Sequence, residues 1–164
     1  MIKTERLFMR YMDQSDFPEL LEMYFEEDSN KFIRPLRGKS RDEYLSFLAS
    51  KLEKNKEQGH FFLAILNEEE KIMGTANLNY FAALDIEHVG VHLKRAYWSQ
   101  AYGTEVLKGL IQLASKEGRK KIFALVQKGN LASEAMMRKC GFELEKEEVL
   151  EGDLLRVFAL RIEG

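Results

Sequence analysis

At 164 residues the chain has the length of one ordinary domain, enough to bury its own core without disulfides or a structural metal. Its 45% hydrophobic and 32% charged residues, with only two prolines, exclude a disordered or fibrous chain. Lys and Arg number 25 against 27 Asp and Glu, a formal charge of −2, so no global basic field attracts a phosphate polymer and no nucleic-acid partner is expected. We read residues 1–164 as a single domain. The lone Cys140 excludes an internal disulfide and suits a reducing compartment. Charge in the first six residues, where a signal peptide would be apolar, and the lack of an apolar run of membrane-spanning length point to a cytoplasmic protein with no membrane partner. His88 and His92 lie four apart, a spacing that serves a metal on a helix, but their stretch reads as a strand and no metal is expected.

In chain order, Thr4 to Arg10 alternates and reads as a strand. A helix follows, with Asp16 and Glu19 spaced as a capping box, Pro18 in its first turn, and an apolar stripe of Leu20, Leu21, Tyr24 and Phe25. Pro35 and Gly38 mark a loop, and Ser40 with Glu43 opens a second helix. The runs 60–66 and 71–80 form an antiparallel hairpin about the turn 67–71, and 86–93 supplies a third strand. The period turns helical from Tyr102 to Lys116, and Gly118 stops it. A strand at 121–127, a short helix from Asn130 to Gly141 and a hairpin turning at 151–153 complete the chain. The order β-α-α-β-β-β-α-β-α-β-β implies an α/β (α+β) fold: a mixed, mostly antiparallel sheet of about seven strands with helices on both faces.

Two segments carry candidate chemistry. From Tyr97 to Leu107 a strand ends and a helix begins amid small residues, Ser99, Ala101 and Gly103. Unpartnered amides and the dipole at a helix start hold phosphate, and small side chains admit the anion to the backbone. The same residues also suit a tight turn needing close packing. The second segment, Asn130 to Phe142, has a capping Asn130, Ser133 one turn later and a closing Gly141-Phe142, all explicable as helix start and stop signals.

Together, in this order, the segments resemble the acetyl-coenzyme A signature of the GNAT superfamily of N-acetyltransferases, most nearly its RimJ/RimL-like branch. That branch reads Y-W-G-x-G-Y-A-T-E-A, then N-x-x-S-x-x-x-x-x-K-x-G-F. This chain has Tyr97-Trp98-Ser99-Gln100-Ala101-Tyr102-Gly103-Thr104-Glu105-Val106, then Asn130, Ser133, Lys139, Gly141 and Phe142. The opening Thr4-Glu5-Arg6-Leu7 with Arg10 and the pair Val89-Gly90 extend the likeness over nearly the whole chain.

The resemblance implies acetyl-CoA as co-substrate and transfer of its acetyl group to a primary amine by direct attack in a ternary complex. The acceptor is a protein N-terminus or a small molecule, and the enzyme a monomer or homodimer. It implies pyrophosphate on the amides of Gln100 to Thr104 beside Trp98, with Asn130 and Ser133 near the pantetheine. Backbone N–H groups of Val91, His92 and Leu93 would pair with the pantetheine amides and polarise the thioester carbonyl. Two departures stand out. Ser99 and Ala101 occupy glycine positions of the motif, which predicts helical or bridge backbone angles there. The tyrosine that many members use as general acid falls at Met137, which donates no proton.

For the general base, Glu87 aligns by distance with a family glutamate, and the adjacent His88 has an imidazole suited to neutral pH. Strand alternation lets only one of them face the substrate, and Glu87 is taken first. Ser133 is the candidate general acid, Cys140 reads as a small buried hydrophobe, and Trp98, Tyr102, Phe32 and Tyr80 are candidate linings of the acceptor pocket. The alternative to an enzyme is a non-catalytic acyl-CoA-binding module, suggested by Met137 and Ala101. A nucleotide-binding protein fits less well, because both Gly-rich nucleotide motifs are absent.

Overall fold

The computed structural model, which describes residues 1–163 with the Arg34 side chain excepted, has eight strands and four α-helices among the described residues. The strands are β1 (Ile2–Lys3), β2 (Leu7–Tyr11), β3 (Phe61–Asn67), β4 (Ile72–Phe81), β5 (Ile86–Leu93), β6 (Lys121–Gln127), β7 (Glu143–Leu150) and β8 (Asp153–Arg161). The helices are α1 (Phe17–Tyr24), α2 (Arg41–Lys54), α3 (Tyr102–Lys116) and α4 (Leu131–Lys139). One eight-stranded sheet runs in the order β1-β2-β3-β4-β5-β6-β8-β7. All neighbours are antiparallel except β5 and β6, which α3 joins as a crossover.

The sheet is covered on both faces. Met9, Leu63, Leu78, Val89, Ile122 and Phe158 pack with Val106, Leu107 and Leu110 of α3. Phe62, Leu66 and Ile72 pack on the other side with Leu20, Leu21 and Tyr24 of α1 and Tyr44 and Leu48 of α2. β3 feeds both cores, which is why it reads as an unbroken apolar run. Burying one such side chain contributes roughly 1.5–3 kcal/mol, and α1, α2 and α3 are held chiefly by their packed stripes.

Two local expectations are corrected. Residues 4–10 are not one strand: the Thr4 N–H donates to the Leu7 carbonyl (2.9 Å), a turn that separates β1 from β2 and brings the strand count to eight. Asp16 does not cap α1 with its side chain. Its carboxylate instead accepts the Asp13 N–H (2.8 Å) and pairs with Arg10 (2.8 Å), while Asp13 caps a 3-10 turn at Gln14–Asp16. The Ser40–Glu43 capping box forms as read.

The feature that positions the site is a break in the sheet. β6 pairs with β8 along its whole length, from Lys121 to Gln127. Against β5 it pairs only at His88↔Phe123 and Val89↔Ala124. Beyond Val89 the parallel strands diverge, and residues 90–93 have no strand partner on that side.

Candidate active site

The opening between β5 and β6 faces the N-terminal end of α3. The amides of Tyr102, Gly103 and Thr104 stand at the first turn of this 15-residue helix, and the first intrahelical bond runs from the Glu105 N–H to the Ala101 carbonyl (3.2 Å). Ala101 caps the helix in the left-handed region (φ 63°, ψ 12°), and Ser99 has φ 60°. The expectation of helical or bridge angles at these positions is therefore corrected: both residues adopt glycine-like angles. Each carries a steric cost of about 1–2 kcal/mol from its Cβ.

The loop is held from behind. Glu105 accepts hydrogen bonds from Thr4 Oγ1, the Arg6 N–H (2.8 Å) and Arg6 Nε (2.7 Å), and Arg6 also donates to the Gln100 carbonyl (3.1 Å). The Arg6 guanidinium stacks 4.0 Å from the Tyr102 ring centroid. Trp98 Nε1 donates to the Leu93 carbonyl (2.9 Å), tying the loop to the free end of β5. A cleft of about 600 Å³ results, lined by Trp98, Ser99, Ala101, Gly103, Thr104 and Met136 among others. Gln100 is not among its lining residues and donates its side-chain amide to the Ala96 carbonyl (2.8 Å).

On β5 the backbone supplies the other wall. The Lys94 N–H donates to the Met73 carbonyl (2.8 Å), and a Cβ at Gly74 would lie 2.0 Å from the His92 carbonyl oxygen, so even-numbered residues turn their peptide groups toward β4. Alternation then turns the N–H groups of Val91 and Leu93 toward the gap, whereas that of His92 faces β4. His92 enters the cleft through its side chain instead.

A second cavity of about 250 Å³ continues from the first and shares Phe32, Ile33, Val91, His92, Asn130 and Ser133 with it. Deeper in, Tyr24, Phe47, Lys51, Asn77, Asn79 and His88 line it. Asn130 Oδ1 accepts the Ser133 N–H (3.3 Å), which caps α4 and fixes the serine where the two cavities meet. His88 Nδ1 lies 3.1 Å from the Asn79 carbonyl. A carbonyl only accepts, so Nδ1 carries the proton and Nε2 is left as a bare acceptor. Burial pushes His88 down to about 4, with Lys51 adding to the effect, and burial likewise pushes His92 down to about 4. Both imidazoles are neutral at physiological pH. His92 Nε2 is engaged with Ser29 Oγ (2.8 Å), and its ring stacks on Tyr24 (5.6 Å between centroids).

Glu87, the first choice as base from the sequence, points elsewhere. Alternation puts it on the α3 face of β5, where its carboxylate lies 3.6 Å from Arg119 and lines neither cavity. Met137 is buried in the core, and its neighbour Met136 lines the cleft. Tyr80 is exposed and donates to Asp85 (2.5 Å), whereas Phe32, Trp98 and Tyr102 do line the cleft. Cys140 is half-buried against the Thr104 carbonyl (4.0 Å), and burial raises its thiol pKa. Among the described residues no group of three or more His, Cys, Asp or Glu is placed to hold a metal.

Residues 6–143 match the family of GNAT acetyltransferase domains, most of the chain. The chain belongs to the GNAT acetyltransferase family. Its fold is similar to that of a GNAT-family acetyltransferase from Bacillus anthracis (20% identity, 99% of both chains, TM-score 0.82). It is similar also to RimL, a ribosomal L7/L12 alpha-N-protein acetyltransferase in complex with coenzyme A (20% identity, 98% of this chain and 97% of that one, TM-score 0.81). A third likeness is to spermidine N-acetyltransferase from Vibrio cholerae in complex with CoA and spermine (13% identity, 95% of both chains, TM-score 0.79).

This GNAT acetyltransferase uses acetyl-CoA as acetyl donor. The chain's own features suit that molecule: free amides at a helix N-terminus for phosphates, and an unpaired strand edge for the amides of an extended arm. Several cleft residues escaped the sequence reading. Asn77 and Asn79 carried a signal, two amides at a spacing of two within an apolar strand. Ser29, Tyr24 and Lys51 carried none, since only the fold brings α1, α2 and the loop after α1 over β5.

Proposed function

We propose that this acetyltransferase acetylates a primary amine, a protein N-terminus or a small molecule, by direct attack in a ternary complex. The observation that carries the reading is the gap between β5 and β6 opening onto the N-terminal amides of α3. Acetyl-CoA supplies the activated acyl group when bound. The amides of Tyr102, Gly103 and Thr104 hold its phosphates, and the N–H groups of Val91 and Leu93 orient the acyl arm and meet charge that develops on its carbonyl oxygen.

His88 takes the proton of the attacking amine. Its bare Nε2 belongs to the cavity that ends at β5, and its low proton affinity keeps it ready to accept throughout the neutral range. An amine nitrogen becomes far more acidic as it bonds to an acyl carbon, so a weak base suffices at that moment. Ser133, at the junction of the cavities, donates to the leaving sulfur directly or through water. His92, engaged with Ser29, holds the loop after α1 over the cleft.

The test is calorimetric titration with acetyl-CoA, followed by thiol release against free amines and N-terminal peptides. Binding with release is expected. Binding without release on any acceptor would favour an acyl-CoA-binding module, and absence of binding would overturn the reading.

A further inference from the structure

The acceptor cavity holds one fixed charge among its described lining residues, and that charge is positive. Lys51 reaches it from the third turn of α2, its ammonium 5.3 Å from the Phe47 ring centroid, and no Asp or Glu lines the cavity. Its neighbours on and beside α2, Lys39, Lys54 and Lys56, each have a carboxylate within 4 Å, whereas Lys51 has none among the described residues. A half-buried ammonium without a counter-ion loses hydration and gains little in return. Burial, with Lys54 adding to it, accordingly lowers its pKa. The ammonium also stands close enough to His88 and His60 for its charge to lower both imidazoles further, beyond the effect of their burial.

Resting on the reading above, we infer that the acceptor is a primary amine that also carries an anionic oxygen group, carboxylate or phosphate, which pairs with Lys51 in the cavity lined by His88. The anion supplies the counter-charge that the fold omits, and its pairing presents the amine to the imidazole from a fixed distance. A polycation meets the opposite situation, an unscreened ammonium with no carboxylate to receive its own charges. His92 and the asparagines contribute no formal charge, so Lys51 sets the sign of the cavity.

The experiment compares matched acceptors: 4-aminobutyrate with butylamine, O-phosphoethanolamine with ethanolamine, and spermidine as the polycation. Thiol release is followed for the parent, Lys51→Met, Lys51→Arg and Lys51→Glu, each first shown to be folded and to bind acetyl-CoA by calorimetry. The parent should favour an anionic member over its neutral partner by at least about tenfold in kcat/KM, carried mainly by KM. The carboxylate and phosphate pairs tell the two anion sources apart. Lys51→Met should collapse that ratio, Lys51→Arg restore it, and Lys51→Glu turn the preference toward spermidine. A readout independent of turnover is calorimetry with 4-acetamidobutyrate and N-acetyl-O-phosphoethanolamine in the absence of acetyl-CoA: affinity present in the parent should be lost in Lys51→Met. Turnover of neutral amines as good as that of anionic ones, or an anionic preference that survives Lys51→Glu, would overturn the inference while leaving an acetyltransferase. Loss of acetyl-CoA binding in the parent would overturn both.

Discussion

Ala101 and Ser99 hold left-handed backbone angles that suit glycine. At φ 63° and 60° the Cβ of each crowds its own carbonyl, a cost of about 1–2 kcal/mol that glycine does not bear. Glycine loses more chain entropy on folding, about 0.5–1 kcal/mol, so the net gain is smaller than the strain. Ala101→Gly should raise the midpoint of thermal unfolding slightly, and Ala101→Val should lower it by several degrees, both read by calorimetry. An unchanged midpoint in the valine variant would show that the left-handed conformation is not maintained in solution. At His88 the prediction concerns pH. Burial pushes the imidazole down to about 4, so its bare form is already complete above pH 5. The profile of kcat/KM should therefore rise smoothly toward the pKa of the acceptor amine, with no additional limb near the ordinary histidine value of about 6.5. His88→Gln should lower kcat far more than it changes acetyl-CoA affinity. A limb at pH 6–7 that vanishes in His88→Gln would mean that the imidazole is far more hydrated than its surroundings imply.

At the scale of elements, the N-terminal end of α3 depends on the turn between β1 and β2, almost a hundred residues earlier in the chain. Burial works against ionisation of Glu105, yet the hydrogen bonds from Thr4 and Arg6 outweigh it and hold the carboxyl below its usual value. A carboxyl depressed in the folded state contributes stability that is present above the unfolded value, about 4.3, and is lost as pH falls through the folded one. Glu105→Gln should thus cost about 1–3 kcal/mol at neutral pH, and the difference from the parent should shrink on acidification below about pH 4. A denaturant titration at several pH values reads both. A gap independent of pH would assign the effect to packing instead. The same bracing explains what the sequence concealed. Helix ends announced themselves through Ser40, Asn130, Gly118 and Gly141, because caps and stops are local chemistry. The turn at Thr4–Arg6 had no such signal, since its partner Glu105 is distant. Alternation in β5 showed that Glu87 and His88 face opposite ways, but which of them meets the cleft depends on which helices cover which face, and that is decided only by packing.

For the whole molecule, the gap between β5 and β6 makes the sheet incomplete without a ligand. A molecule that binds only the folded chain stabilises it by RT ln(1 + [L]/Kd), about 2.7 kcal/mol at a hundredfold excess over Kd. At this chain length that corresponds to a rise in the thermal midpoint on the order of 5–10 °C. Acetyl-CoA should produce such a shift, and protection of the β5 amides from hydrogen exchange should grow with it, because Val91 and Leu93 gain hydrogen-bond partners. Gly103 locates the effect. A Cβ there would already lie 2.8 Å from the Met136 sulfur, a contact that a flexible thioether relieves by moving. Gly103→Ala should therefore keep the acetyl-CoA shift. Gly103→Trp fills the space between α3 and α4 from which the helix amides are reached, and should abolish the shift while the free protein still unfolds cooperatively. A full shift in Gly103→Trp would place acetyl-CoA away from the N-terminal end of α3. In that case the left-handed loop, the bracing by Arg6 and the divergence of the strands would need a different explanation together, since all three converge on the same few amides.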